Sequence, residues 1–529
     1  MVIRNFRLFC LTTVLVSLVA VTASAQSFRV QCPTSTITHP SALHDNNAEP
    51  AYTGPTTFAA GANGYQVPSA KVNGAIKCQQ ISGGDGYSTM GDGTQTYMFS
   101  FGPLSGLADI AAGKPGTQNP DTFNTVYAGP KLQPGEPATT VDASGPGSFT
   151  YNGAIGQVPD VDANGGTGTA GAPIDGHVDP RQIMDVGVMN GNIPAPLMAI
   201  DEDDEFFLTL TNVGMIMRPD LFEQHTVHFH GYPNASAFYD GVPDASVAIN
   251  IGASFTYYYL APDAGTYFWH CHITPPEHLQ MGMVGQIYVR PRQNRVSGDL
   301  YSALSLQQGD PRTACNSNAD ILCSNPLPAV NTHATGGGMY AYNDGDGTTR
   351  YDVEYPLQIH GFDPNFHFVG MTFNPEGFAD MKDKYFLLNG RSYPDTVTAG
   401  PLETMSTDGA NHFSQPLSAI INIPAGGRAL LRISDLDVTE YQTLASLGIP
   451  MQVIALNAKL LRDQEGNNLY YNTNSITLAG GESLDVILDA SDTTKYPSGS
   501  VFYLYTPNLD HLSNDAENFG GLMTEVRIN

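Results

Sequence analysis

The chain reads as short runs in which apolar and polar residues alternate, each bounded by Gly, Pro, Asn or Asp. A period of two predicts half-buried strands. Such runs fall at 96–104 (TYMFSFGPL), 206–212 (FFLTLTN), 254–260, 265–272 and 282–291. A second series follows at 385–389, 418–423, 429–433, 451–456, 483–488 and 501–505. Short strands at this spacing predict an all-β chain of two β-sandwich domains, at 181–292 and 351–529. Residues 26–180 read as a loop-rich N-terminal extension contributing one strand near 96–104, and 293–350 as a linker.

Several polar stretches read as turns. Asp160 to Gly165 copies the start of a calcium loop, but Gly171 stands where the twelfth-position acid belongs, so an Asx-rich turn is expected. The acidic run Asp201 to Glu205 is expected to be a solvated turn, Asn343 to Gly347 another turn, and His39 and His44 surface residues.

Composition narrows the setting. The first 25 residues carry Arg4 and Arg7, an apolar run and Ala23-Ser24-Ala25, the pattern of a secretory signal peptide. An exported protein, periplasmic or extracellular, with no membrane span is expected. The net charge of −28 disfavours nucleic acid and anionic membranes as partners. In an oxidising compartment Cys32, Cys78, Cys315 and Cys323 form an even set, for which Cys32–Cys78 with Cys315–Cys323 is the favoured of three pairings because it closes local loops.

Cys271 is set apart because it stands between His270 and His272. Six of the fourteen histidines lie between His225 and Met283. On extended chain His228 and His230 share one face and His225 the other; His270 and His272 likewise oppose Cys271. Parity thus sorts the residues into two back-to-back groups. His225 and Cys271, completed by His278 and Met283 from the following loop, make the His₂Cys set with a distant thioether that suits a blue copper ion. A closed zinc site is the alternative, though it more often recruits further Cys or His than a thioether. His228, His230, His270 and His272 are left to hold one or two further copper ions.

These motifs resemble the multicopper oxidase and cupredoxin superfamily. Asn190-Gly-Asn-Ile-Pro194-Ala-Pro196 is similar to its NGxxPGP turn, with Ala195 where Gly is usual. His225 to Gly231 is similar to HxxHxHG, Asp240 to Pro243 to DGVP, and Gly265 to His272 to GTYxxHCH. The resemblance implies cupredoxin-like Greek-key domains, a type 1 copper on His225, Cys271, His278 and Met283, and a type 2/type 3 cluster faced by His228, His230, His270 and His272. Phe386 to Pro394 and Ala479 to Val486 resemble a cupredoxin domain without copper: where HxH and HCH would stand, the chain has Met451 to Ala455 and Leu504 to Asn508. The family's full cluster uses eight histidines from two domains. Here His360, His367, His412 and His511 are scattered, His360 being the best placed. A homo-oligomer would be one way to complete the cluster. Copper nitrite reductases resemble the chain in His–Met spacing, but carry Asp where His228 stands and lack a histidine after the HC pair.

The expectation is an exported copper oxidoreductase. It takes electrons from a small molecule, a metal ion or a redox protein and passes them through Cys271 to a further copper centre, with dioxygen as an acceptor. The alternative is a non-enzymatic blue-copper electron carrier or copper-binding protein. No catalytic acid is assigned; Asp240 and Glu277 are the nearby carboxylates.

Overall fold

Eight strands build the first sandwich: β1 (Ile76–Thr89), β2 (Gln95–Pro103), β3 (Met198–Asp201), β4 (Glu205–Gly214), β5 (His228–Phe229), β6 (Ser254–Leu260), β7 (Gly265–His270) and β8 (Val284–Arg290). One sheet has the order β2–β1–β4–β6 and the other β3–β8–β7–β5. Their inward positions supply the core, with Phe99, Phe101, Phe206, Leu208, Tyr257 and Trp269 all buried. The computed structural model describes residues 30–124, 191–310 and 325–529, apart from 63, 216–217, 232–235, 262, 371–376, 406–410 and 516. The leader at 1–25, Asn190, the loop at 160–171 and the Cys315–Cys323 pairing lie outside the described residues.

The fold is all-β, as expected, but the first sandwich begins earlier than the pattern suggests. The 14-residue β1 is a central strand, parallel to β4 and antiparallel to β2. Its sequence hides it. Gly83, Gly84, Asp85 and Gly86 break the alternation, and the register with β4 shifts between Gly83 and Gly84. Cys32 is disulfide-bonded to Cys78 on this strand.

The run Asp201 to Glu205 is not a solvated turn. Glu202, Asp203, Asp204 and Glu205 are buried. Asp203 pairs with Arg292 at 2.6 Å, and Glu202 accepts from Asn343 and the Arg292 backbone. Nor is His39 a surface residue: it is fully buried, with Nδ1 2.7 Å from Glu205 and Nε2 2.9 Å from the Asn73 carbonyl. Buried carboxylates persist only when paired, and the partners here come from distant sequence. Residues 293–310 and 325–350, the described part of the segment expected to be a linker, are packed structure. They carry a helix at Leu300–Gln307, a hairpin of Met339–Tyr340 with Arg350–Tyr351, and the buried turn residues Asn343 and Asp344.

The second sandwich pairs Tyr385–Leu388, Val353–Phe362, Arg428–Asp435, Glu482–Asp489 and Met451–Leu456 in one sheet. Opposite it lie Ile421–Ile423, Met523–Ile528, Val501–Tyr505, Gln442–Leu447 and Ser475–Leu478. Leu431, Ile433, Met451, Val453 and Val486 fill the space between. The two sandwiches share an apolar seam of Met98, Ile193, Phe268, Leu279, Phe362 and Leu387. Polar ties flank it: Thr266 donates to Asp485 at 2.6 Å and Gln286 to Ser434 at 2.9 Å. No helix among the described residues is long and apolar enough to cross a membrane.

Candidate metal centre

Two groups of side chains sit back to back at the end of β7. Strand β5 pairs with β7 so that His228 lies opposite His270 and Phe229 opposite Trp269. Alternation buries Phe229 and Trp269 in the core and turns both histidines the other way. The ladder continues one residue further, where the His230 N–H donates to the Phe268 carbonyl. His228, His230 and His270 therefore converge, each offering one nitrogen within 4.8 Å of the others. His270 Nε2 and His230 Nε2 are 2.7 Å apart.

Beyond His270 the chain leaves the strand, and the Cys271 N–H donates to the Met283 carbonyl. This turns Cys271 to the opposite side, where it is wholly buried with His225, His278 and Met283. Its Sγ lies 3.2 Å from His278 Nδ1 and 4.0 Å from His225 Nδ1. His225 is pinned by paired backbone hydrogen bonds with Ile249, and His278 rides on α1 (Pro275–Gln280), opened by two prolines preset for a helix start. The second sandwich holds α1 in place: Gln280 donates to Asp383 and accepts from the Asp363 N–H.

Electrostatics prepares both groups as ligands. Burial pushes the Cys271 thiol up, but the His278 charge and hydrogen bonds from His225 and His278 outweigh it and hold the thiol well below its usual range. Burial would likewise lower His278, yet the Cys271 thiolate and Glu223 raise it to about 9. Burial lowers His225 despite the Cys271 interaction. On the other face burial and neighbouring imidazoles bring His230 to about 4, and bring His270 to about 3 despite its bond to the Cys271 carbonyl, so both are neutral at pH 7.

A buried thiolate with two imidazole nitrogens and a thioether residue beside them suits a soft ion, and fits copper better than a closed zinc site. This makes a proton count. Both shifts favour a Cys271 thiolate beside a protonated His278, which at pH 7.5 holds a proton on each nitrogen, while His225 is neutral. A metal taking His278 Nδ1 leaves the Nε2 proton facing Glu223, 3.6 Å away. Metal uptake in this pocket is expected to release about one proton per ion, read with a pH indicator in weakly buffered solution. A release of two would show a protonated thiol.

Gly83 on β1 touches this pocket without being a ligand. A Cβ there would sit 2.6 Å from His225 Cδ2. Gly83→Ala is expected to displace the His225 ring, cost about 1–3 kcal/mol of stability and weaken metal binding at Cys271 without removing a ligand. Gly298→Ala, which meets nothing within 4 Å, is the control, with both variants followed by thermal unfolding and metal titration. Gly241 plays a similar part on the other face. Its φ is +79 and a Cβ would lie 2.0 Å from the Val227 carbonyl, so only Gly lets Asp240 bring its own carbonyl 2.6 Å from His228 Nδ1. Neither Gly83 nor Glu223 carries a sequence signal; both enter through packing.

His272 borders the histidine face, its ring 5.1 Å from that of His228, but stands outside the converging trio. His360 is buried and faces the backbone of Leu279, Gln280 and Leu436. His367 is held by the Tyr97 and Gln280 carbonyls, and His511 by Gln442 and Glu440. None of the three joins the face. His412 lies on Asn411–Ser414, and its side chain is outside the described residues. Of the nearby acids, Glu277 lies on α1, and the Asp240 carboxylate stands 3.6 Å from His228 Nδ1.

Residues 175–294 match the family model of a multicopper oxidase domain. A laccase of Aspergillus fumigatus is 34% identical over 111 residues, 21% of this chain and 17% of its own. A copper-containing nitrite reductase of Rhizobium meliloti is 34% identical over 114 residues, 21% of this chain and 27% of its own. The matches thus span well under a third of these relatives. A blue copper oxidase structure from Nitrosomonas europaea aligns over 64% of this chain and 78% of its own at 22% identity, with a TM-score of 0.41.

Proposed function

We propose that this chain, whose residues 175–294 match a multicopper oxidase domain, is an exported copper-dependent oxidoreductase of that superfamily. His225, Cys271, His278 and Met283 would hold a type 1 copper, the centre nearest a reduced donor. His228, His230, His270 and His272 would face a further copper centre, with dioxygen as the acceptor class. Copper at these positions supplies one-electron redox chemistry at each centre.

The observation that carries this reading is the back-to-back geometry. Cys271 Sγ stands 3.2 Å from His278 Nδ1 on one side, and the preceding residue, His270, has its Nε2 2.7 Å from His230 Nε2 on the other. One peptide bond joins the two pockets, giving electrons a short covalent route. Burial keeps water from the thiolate, and the Asp240 and Cys271 carbonyls orient the His228 and His270 rings. The donor is a small molecule, a metal ion or a redox protein.

A second reading, a non-enzymatic blue-copper carrier, is favoured by one observation: the second sandwich brings no histidine to the face among the described residues. Dioxygen uptake by the copper-loaded protein with a phenolic or metal-ion donor separates the two. Turnover supports the oxidoreductase. An intensely blue protein that consumes no acceptor leaves the carrier, and a colourless oxidised protein removes the type 1 assignment.

A further inference from the structure

We propose that the histidine face holds a single metal ion, on His228, His230 and His270, and not a three-ion cluster. The proposal rests on the copper reading above and fixes the size of its second centre.

The tautomers point this way. His228 Nδ1 lies 2.6 Å from the Asp240 carbonyl and His270 Nδ1 2.7 Å from the Cys271 carbonyl. A carbonyl only accepts, so each Nδ1 carries the proton and each Nε2 keeps its lone pair. His270 Nε2 is then a bare acceptor aimed at His230 Nε2 at 2.7 Å. Such a contact needs a cation or a shared proton between the rings, and His228 offers a third nitrogen to the same point. His272 is outside that point, and its backbone N–H is fixed on Thr226 Oγ1.

The space opposite the trio excludes the remaining ions. A cavity of about 480 Å³ opens beside His230 and His270, walled by Pro275 and Leu279 of α1 and by Val438, Tyr441 and Gly481 of the second sandwich. A larger cluster would need nitrogen ligands from this wall, and among the described residues none lining it other than His230 and His270 is a histidine. His360 faces the Leu279 and Leu436 backbone, and His511 is committed to Gln442 and Glu440. Four histidines cannot give three copper ions the two to three nitrogen donors that each requires. The same chain's second sandwich fills the position from which further ligands would come, so the trio keeps one open side, toward the cavity.

The test counts metal. The full chain is loaded with Cu(II), freed of loose ion by gel filtration, and assayed for copper per chain by elemental mass spectrometry together with EPR spin integration. About two coppers per chain are expected, both visible by EPR. Cys271→Ser should leave one copper and no blue band. The double variant His228→Ala/His230→Ala should leave one copper with the blue band intact. Three or more coppers in the parent, part of them EPR-silent through magnetic coupling, would overturn the proposal. So would a single copper that disappears in Cys271→Ser, because the histidine face would then hold none. A parent without blue colour that still loses one copper on removal of His228 and His230 would defeat the type 1 reading and leave the single-ion face standing.

Discussion

Cys271→Ser is expected to abolish the intense visible absorption of the copper-loaded protein and to reduce donor oxidation to background, while the far-ultraviolet circular dichroism stays that of the parent. The hydroxyl occupies nearly the same space and still accepts from the Thr226 N–H, which approaches Sγ at 3.4 Å. It does not ionise in the accessible pH range and lacks the soft covalency of a thiolate. A second readout needs no metal. His278 is raised to about 9 by the Cys271 thiolate and Glu223 acting against its own burial. Without the thiolate, burial gains ground, so the His278 titration followed by NMR in the metal-free variant should move downward. A variant that keeps the blue band would place the sulfur ligand elsewhere.

Glu354→Gln is expected to cost roughly 3 kcal/mol at pH 7, a figure that follows from its depressed pKa. Glu354 accepts from Arg290 of β8 at 2.7 Å and from Arg432 of the second sandwich at 3.0 Å, and Arg432 stacks on Tyr288 at 4.6 Å. Burial would raise this carboxyl, but the two arginines outweigh it and lower it from 4.5 to about 2. For a depressed carboxylate the stabilisation is fully present above pH 4.5 and is lost as pH falls through about 2. The stability difference between parent and variant, from denaturant unfolding at a series of pH values, should therefore shrink between pH 4.5 and 2. Removing one member of a buried pair leaves the other charges uncompensated, so a difference that stayed flat across this range would show that the pair is solvated.

Much of the candidate site was legible because its chemistry is local. His228, His230 and His270 lie within a few residues of their motifs, and the period of two sorts them from Cys271 before any packing is known. The acidic run at 201–205 departs from its local pattern for the opposite reason. Arg292 and Asn343, which pair with Asp203 and Glu202, stand about 90 and 140 positions away. Strand β1 leaves no pattern in the sequence because Gly83 and Gly84 are placed by close packing against His225 and Val213, not by hydrophobic alternation.

Sequence by itself determined that this is an all-β chain with two opposed groups of candidate ligand side chains joined at Cys271, because strand parity and residue chemistry need no long-range information. Tertiary structure alone decided how near the ligands come and what surrounds them. The 3.2 Å approach of His278 to Cys271 depends on α1 being clamped by Asp363 and Asp383 of the second sandwich. The wall facing His230 and His270 comes from residues 436–441 and 479–481, some two hundred positions further along the chain. Whether the histidine face is open, closed or shared is set by how two separately patterned sandwiches dock, and that contact leaves no period in the sequence.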